Sequence, residues 1–348
     1  MKTYETPSAM SYRSEEVWFP LSEDILGWDQ DFHTLMLNDH IRMQAYEQAI
    51  KEAVKPGMVV LDLGTGTGIL SLWALEAGAA RVHGIDIRKE RLVDAQERVR
   101  KAGFGEKFLT YQGLSSQVEL PEKVDLIISE ILGNLADNED MAPILNDARN
   151  RFLKPDGQML PARTETYQVP VSSTKANAQI VAKNCRSINP RYSLDELLAA
   201  RGAENQFNLY YDVIVPESSY LSKPACVYTA EFQGNDREEY EVAQKFVVNA
   251  VGTFTGFKGY FVAQLSDNIV LDISGDDIPG RATSDCWKHA YLPIEHSVEV
   301  QPGDEIQLRY RRFYPAETSK VFRQAYSWEG SVRRNGIVIY SFEQSTSK

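Results

Sequence analysis

The sequence predicts a two-part α/β + β fold: a doubly wound parallel sheet with helices on both faces, then an antiparallel β-barrel or sandwich with an inserted helical arm. Three observations carry this expectation. The chain has 348 residues, enough for about two domains of ordinary size, each with its own core. Up to about residue 160, short apolar runs alternate with helix-periodic segments, the pattern of parallel strands joined by crossover helices. After the cluster Pro155, Gly157 and Pro161 the texture changes to β-branched and aromatic segments separated by turn residues. The expected division is an N-terminal segment over 1–31, the α/β domain over 32–160 and the β domain over 161–348.

In chain order, "MLNDHIRMQAYEQAIKEAV" predicts a helix on which Leu37, Ile41, Tyr46, Ile50 and Val54 form one apolar stripe. It is expected to pack against the sheet edge or to roof a pocket. "MVVLDL" at 58–63, "RVHGID" at 81–86, "KFLTYQ" at 107–112 and "VDLIIS" at 124–129 predict strands. "TGILSLWALEAGA" and "RKERLVDAQERVRKAG" between them predict helices, the second strongly amphipathic. In the β half, "NLYYDVIV", "CVYTAEFQ", "QKFVVNAVGTFTGF", "GYFVAQL", "NIVLDIS", "HSVEVQPGDEIQLRY" and "GIVIYSFE" have strand character. Residues of about 171–206 read as helical and form the arm, with Leu194, Leu197 and Leu198 expected as an apolar patch that reaches a partner subunit. The charge run "NDREEYE" at 235–241 is expected as a solvated hairpin turn.

The balance of 37 basic against 49 acidic residues, net −12, argues against a general phosphate-binding surface and so against nucleic acid as a partner. A cationic partner suits it better. Cys185, Cys226 and Cys286 fit neither a disulfide framework nor zinc spacing, so no metal is expected and a reducing, cytoplasmic setting is. The longest run free of charged side chains, Leu63 to Leu75, spans 13 residues and holds three glycines, so no membrane span or signal peptide is expected.

"VVLDLGTGTGIL" puts Asp62, Gly64, Gly66 and Gly68 at a strand-to-helix turn, where glycines let backbone amides approach a ligand. The spacing lacks the third glycine of a dinucleotide fingerprint and the Gly-Lys-Ser/Thr of a P-loop. Asp62 would repel a pyrophosphate yet could hold an ammonium through water. Asp86, closing the second strand, is placed to accept hydrogen bonds from two ribose hydroxyls. An amino acid joined to a nucleoside without phosphates is S-adenosyl-L-methionine.

The strand "KVDLIIS" then releases "SEILGNLADNED", with Glu130, Asp137, Glu139 and Asp140 in one loop. Together "MLNDHIR", "VVLDLGTGTGIL", "GLSSQVELPEKVDLIISE", "LGNLADNEDM" and "LKPDGQMLPAR" resemble the catalytic core of the protein arginine methyltransferases, in the same order and at similar spacing, over about residues 32–165. The resemblance implies a Rossmann-like class I methyltransferase domain followed by a β-barrel with a dimerisation arm, and hence a homodimer. It implies that Glu130 and Glu139 are the catalytic pair of the family's double-glutamate loop, with Glu130 also bordering the cofactor. By the same resemblance Arg42 pairs with the cofactor carboxylate and Asp86 binds the ribose. Ser116 stands where the family often has a glutamate near the adenine. Met36 and Met141 match methionines near the family's active site, and Asn134 and Trp287 fall at its acceptor pocket. Because the symmetric enzymes carry phenylalanine where Met36 sits, symmetric dimethylation is not expected.

Two departures stand out. The family's Ser-Glu-Trp-Met-Gly-Tyr reads "SEILGN" here, with Ile131, Leu132 and Asn134 in the altered places. Its Thr-His-Trp has its nearest counterpart in "SDCWKHAYL", so Cys286 takes the histidine position and the aspartate–histidine contact expected of Asp39 is not available through that residue. Cys286 itself is expected as a small buried residue.

The chemistry of the acids stands beside that likeness. A guanidinium is planar, stays charged and offers donors in a fork, so two carboxylates can hold it bidentately and draw its charge toward the nitrogens they touch. The remaining nitrogen regains lone-pair density and can attack a methyl in line, with orientation and electrostatics doing most of the catalysis. The expected activity is N-methylation of arginine, in a protein or as the free guanidino compound. Two alternatives remain open from the sequence: an amine or other small-molecule acceptor on the same fold, and a cofactor-binding scaffold without catalysis. His33 and His40 are read as capping or packing residues.

Overall fold

The structure is a computed structural model and describes residues 13–20, 36–186, 193–201, 203–234, 236–278, 280, 284, 286–316 and 324–347. The first domain is a five-stranded sheet in the order β3-β2-β1-β4-β5, from β1 (Val59–Leu63), β2 (Arg81–Asp86), β3 (Phe108–Gln112), β4 (Val124–Ser129) and β5 (Leu153–Leu160). Every pairing in it is parallel. Helices α1 (His40–Ala53), α2 (Ile69–Glu76), α3 (Lys89–Lys101) and α4 (Met141–Phe152) pack around it. Val60, Leu61, Leu126, Ile127 and Ile128 are fully buried, as central parallel strands covered on both faces require. On α1 the predicted stripe buries Tyr46, Ile50 and Val54.

β5 departs from the expectation. Pro155 and Gly157 read as a boundary, but a strand at the sheet edge tolerates a residue without an N–H, and the pairing with β4 shifts register between Val124 and Leu126.

The second domain is two antiparallel sheets on one core. β6 (Arg163–Val171), β7 (Tyr211–Val213), β8 (Ala225–Ala230), β10 (Gly252–Gln264) and β12 (His289–Val300) run in the order β7-β12-β10-β6-β8, with β11 (Val270–Asp272) on β10. β9 (Tyr240–Val247), β13 (Glu305–Phe313), β14 (Ala325–Arg334) and β15 (Ile337–Ser345) run β15-β14-β13-β9. Phe254, Phe257, Tyr310, Trp328 and Phe342 fill the space between them.

Several strand bounds move. "QKFVVNAVGTFTGF" holds the end of β9 and the start of β10, and "GYFVAQL" simply continues β10. "HSVEVQPGDEIQLRY" divides into β12 and β13, and "NLYYDVIV" narrows to the three residues of β7. β14 is missing from the predicted strands; in the sheet its Gly330 sits against β13, where a Cβ would lie 1.8 Å from the Gln307 carbonyl oxygen. The run "NDREEYE" is solvated at Arg237, Glu238 and Glu239 but is no hairpin. Its described residues lead from one sheet to the other, with Asp236 accepting the Glu231 amide at 2.7 Å and Tyr240 buried at the start of β9.

The arm contains α5 (Thr174–Val181) and α6 (Leu194–Arg201). Leu194, Leu197 and Leu198, expected to meet a partner, are buried in their own chain with Val17, Ala176, Ile180 and Tyr211. The apolar patch therefore packs the arm onto its own domain. The N-terminal stretch joins in: Trp18 forms backbone bridges to Asp212 and Arg186, stitching the chain start between β7 and the arm. His33 and residues 187–192 lie outside the described residues.

Candidate active site

Parallel strands deliver their carboxyl ends to one side of a sheet, and ligands of such sheets bind there. Gly64 follows β1, Asp86 closes β2 and Glu130 follows β4, all on that side. They border a cavity of about 500 Å³, within the range of small-molecule sites. Gly64, Gly66 and Gly68 all have positive φ, +79°, +53° and +76°, which only glycine adopts without strain. The Asp86 carboxylate holds this loop by accepting the Gly66 amide at 2.8 Å and caps its own turn through the Arg88 amide at 2.9 Å.

Arg42 reaches the cavity from α1. The Asp39 carboxylate caps that helix by accepting the Arg42 amide at 3.0 Å. The guanidinium donates to the Met36 carbonyl at 3.1 Å and, through Nε at 2.9 Å and through Nη2, to Glu130 Oε2. Burial works against its charge, but the Glu130 carboxylate outweighs that and the arginine stays charged. Asp39 also ties α1 to the second domain, accepting the Cys286 amide at 2.9 Å and the Ser284 hydroxyl. The contact that Cys286 cannot make through a histidine ring is thus made by a backbone amide and a serine two residues earlier. The Cys286 thiol is buried, and burial with Asp39 nearby pushes it well above its ordinary pKa, so it stays protonated as a packing residue.

The four acids of the loop divide by what holds them. Glu130 belongs to Arg42. Asp137 is buried and accepts hydroxyls from Tyr240 at 2.6 Å and Tyr326 at 2.8 Å. Asp140 accepts Arg312 Nη2 at 3.0 Å and the Tyr314 hydroxyl at 2.8 Å. No hydrogen-bond donor among the described residues reaches the carboxylate of Glu139, which borders the cavity. Burial, then the neighbouring Glu130 charge, push Glu139 up to about 8, with Arg42 opposing.

Of the residues expected in the site, Met36, Arg42, Gly64, Gly66, Asp86, Ser116, Glu130 and Glu139 do line this cavity. Others stand behind it. Asp62 lies fully buried beneath the glycine loop, where Oδ2 accepts the Ser71 amide at 3.1 Å and Oδ1 has no partner among the described residues. Burial pushes Asp62 up to about 6 against the Ser71 hydrogen bonds. Gly68 starts α2 where a Cβ would lie 2.7 Å from that of Ala95, so it serves the packing of α2 on α3. Asn134 donates to Asp212 at 2.7 Å, Met141 is core, and Trp287 donates to the Leu132 carbonyl at 2.5 Å, bracing the loop from outside the cavity. Sequence reasoning missed Leu114, Ile144 and the buried Arg91 on the wall; the helical period of α3 and α4 signalled only which faces are apolar.

Replacing Asp86 with Ala removes the loop support and the carboxylate expected to accept from the ribose. Cofactor affinity is expected to fall at least about tenfold, at roughly 1.5–3 kcal/mol per charge-assisted hydrogen bond. Calorimetric titration checks this, and unchanged affinity would remove Asp86 from the cofactor site.

The cavity offers a cation at one end, a carboxylate with spare lone pairs at the other and apolar walls such as Ile85, Ile87 and Leu114 between them. A cofactor with an amino-acid end, a ribose and no phosphates suits each part, which places the chain among the S-adenosylmethionine-dependent methyltransferases. A family model described as a methyltransferase domain matches residues 54–241, and one described as the PRMT5 oligomerisation domain matches 163–333. The protein arginine N-methyltransferase PRMT10 of Oryza sativa subsp. japonica is 39% identical over 325 residues, 84% of this chain and 83% of that one. The probable protein arginine N-methyltransferase 6 of Arabidopsis thaliana is 39% identical over 142 residues, 40% of this chain but only 32% of its own length. The chain thus spans about a third of that curated relative. Among solved structures, a Trypanosoma brucei PRMT1 enzyme-prozyme heterotetrameric complex with AdoHcy aligns with a TM-score of 0.75 at 21% identity, over 93% of this chain and 99% of that one. The chain belongs to the protein arginine methyltransferase family.

Proposed function

We propose that this protein methylates the guanidino nitrogen of arginine residues in other proteins, holding the guanidinium between Glu130 and Glu139. The observation that carries the reading is Glu139: a carboxylate on the cavity wall with no donor among the described residues, in a loop whose other acids are each engaged. A planar cation with forked donors is what such a carboxylate lacks. Bound in the cavity, S-adenosylmethionine supplies an electrophilic methyl group. Asp86 would accept from its ribose, Arg42 would pair with its carboxylate, and the backbone of Gly64 and Gly66 would let the nucleoside lie close. With Arg42 shared in this way, Glu130 would keep acceptor capacity for the guanidinium. Glu130 and Glu139 then fix the plane of the acceptor and concentrate its charge on the nitrogens they touch, leaving the third with lone-pair density. The apolar cavity walls exclude the water that would screen these charges.

Incubation with labelled cofactor and a panel of arginine-bearing proteins, lysine-bearing peptides and free guanidines tests this. Label on protein arginine, as monomethyl or asymmetric dimethyl forms, is the expected result. Label only on lysine or on free guanidines, or symmetric dimethylarginine, would overturn the corresponding part.

The raised Glu139 pKa gives a pH signature. An unfolded glutamate titrates near about 4.3, and the folded one near about 8. Between those values the folded state binds a proton that the unfolded state has lost. The stabilisation is therefore fully present below the lower value and is lost as pH rises through the upper one. An incoming guanidinium favours the ionised form, so acceptor binding releases a proton at neutral pH and the acceptor KM falls as pH rises toward 8. In Glu139→Gln both dependences are expected to flatten, read from melting temperature and KM between pH 6 and 9.

A homodimer belongs to the same reading, supported by the oligomerisation-domain match over 163–333. With Leu194, Leu197 and Leu198 buried in their own chain, the polar and exposed faces of α5 and α6 are left to meet the partner. Light scattering at micromolar concentration is expected to find a dimer, and a monomer there would remove the proposal. Three free cysteines agree with a reducing, cytoplasmic setting.

A further inference from the structure

The two residues that bracket Glu139 in the loop share one cation from the second domain. Arg312, on β13, is buried to 1% exposure. Its Nη2 donates to the Asp137 carbonyl at 3.2 Å and to Asp140 Oδ1 at 3.0 Å, and its Nε lies 3.5 Å from Asp137 Oδ2. Nη1 donates to the Glu238 carbonyl, and both terminal nitrogens reach the Tyr314 hydroxyl, at 3.3 Å and 3.4 Å. That hydroxyl completes the ring by donating to Asp140 at 2.8 Å. One planar fork thus holds the loop on both sides of Glu139, by the Asp137 carbonyl before it and the Asp140 carboxylate after it, and Asp140 sits in the left-handed region at φ +58°, a conformation that costs energy for a residue with a side chain. A guanidinium with five donors in fixed directions suits this clamp, and a lysine, a point charge on a flexible stem, does not.

We propose that Arg312 is a positioning residue for methyl transfer: it holds Asp137 and Asp140 so that Glu139 projects into the cavity at the distance and angle the acceptor guanidinium needs. The inference rests on the reading of Glu139 as an acceptor ligand. Arg312 acts through the backbone of the loop and touches neither cofactor nor acceptor. Because the clamp reaches across from β13, the catalytic carboxylate is set by the docking of the two domains.

The test is a double-mutant cycle on the full-length protein with Arg312→Met, Arg312→Lys, Glu139→Gln and the Arg312→Met/Glu139→Gln pair. It reads kcat and KM for an arginine peptide, cofactor affinity by calorimetry, and melting temperature. Arg312→Lys keeps a charge between the two aspartates, so it serves where Arg312→Met fails to fold. Expected are a thirtyfold or greater loss of kcat in Arg312→Lys, cofactor affinity within about threefold of wild type, and a double variant no slower than Glu139→Gln alone. The lysine variant is also expected to shift the acid limb of its pH–rate profile downward as Glu139 relaxes toward water. Losses that multiply in the double variant, or Arg312→Lys turning over at wild-type rate while Glu139→Gln is inactive, would overturn the role of Arg312 alone. An active Glu139→Gln would overturn the glutamate reading and the inference with it.

Discussion

Glu139→Gln is expected to lower kcat by roughly two to four decades, from a transition-state loss of about 3–5 kcal/mol, while cofactor affinity stays within a few-fold. The amide is nearly the same size, so packing survives. It offers one acceptor oxygen in place of two and turns an N–H toward the donors of the guanidinium. Glu130→Gln is expected to match this loss of turnover but to carry a second signature, because Glu130 is already the counter-ion of Arg42. The substitution leaves Arg42 buried with no counter-charge from Glu130, a situation that costs about 3–5 kcal/mol when one partner of a buried pair is removed. The free protein should therefore melt lower than Glu139→Gln, and cofactor, whose carboxylate gives Arg42 a new counter-charge, should raise its melting temperature more than it raises that of wild type. Single-turnover assays decide the first part: if both variants keep more than about a tenth of the wild-type rate, the two carboxylates are not the acceptor clamp.

Gly133→Ala is expected to lower activity about a hundredfold by a different route. A Cβ at this position would lie 2.1 Å from Asn138 Oδ1 and 2.4 Å from its Cγ. Asn138 cannot move aside without loss: it is fully buried, its Oδ1 accepts the Leu135 amide at 3.0 Å and its Nδ2 donates to Asn134 at 3.0 Å. Forcing it out strands buried polar groups at a cost of about 2–4 kcal/mol, and Glu139 is the next residue along. Urea unfolding and steady-state kinetics should show a lower midpoint together with a drop in kcat/KM of about a hundredfold, roughly 2.7 kcal/mol of barrier. A variant with wild-type midpoint and rate would mean that the loop is held from elsewhere.

What could be read in the sequence was whatever depends on near neighbours. Glu130 and Asp86 were legible because an acid at the carboxyl end of a parallel strand has only the ligand side to face. The glycine loop was legible because Gly64, Gly66 and Gly68, directly after an apolar strand, allow the backbone to turn sharply and leave no side chains between it and a ligand. Asp62 and Gly68 were misplaced for the same reason that made them visible: spacing identifies a turn but does not say which of its side chains face the ligand and which face the helix behind. The structural roles of Asn134, Asp137 and Asp140 could not be read, since their partners Asp212, Tyr240 and Arg312 lie 78, 103 and 172 residues further along the chain. Local patterns also failed at β5, where the Pro155–Gly157 pair read as a boundary and proved to belong to a strand that a sheet edge allows, and at β14, a strand the sequence pattern left out.

The stitching of Trp18 between β7 and the arm has a consequence for how the molecule is made. Val17, Trp18 and Phe19 leave the ribosome roughly two hundred residues ahead of Asp212, on which Trp18 pairs. At ordinary synthesis rates this is an interval of about 10–40 s. During that wait an apolar strand-forming tripeptide has no native edge to join. The helix that carries Arg42 is tied to Ser284 and Cys286 through Asp39, so that corner of the cavity also waits for the second domain to be made.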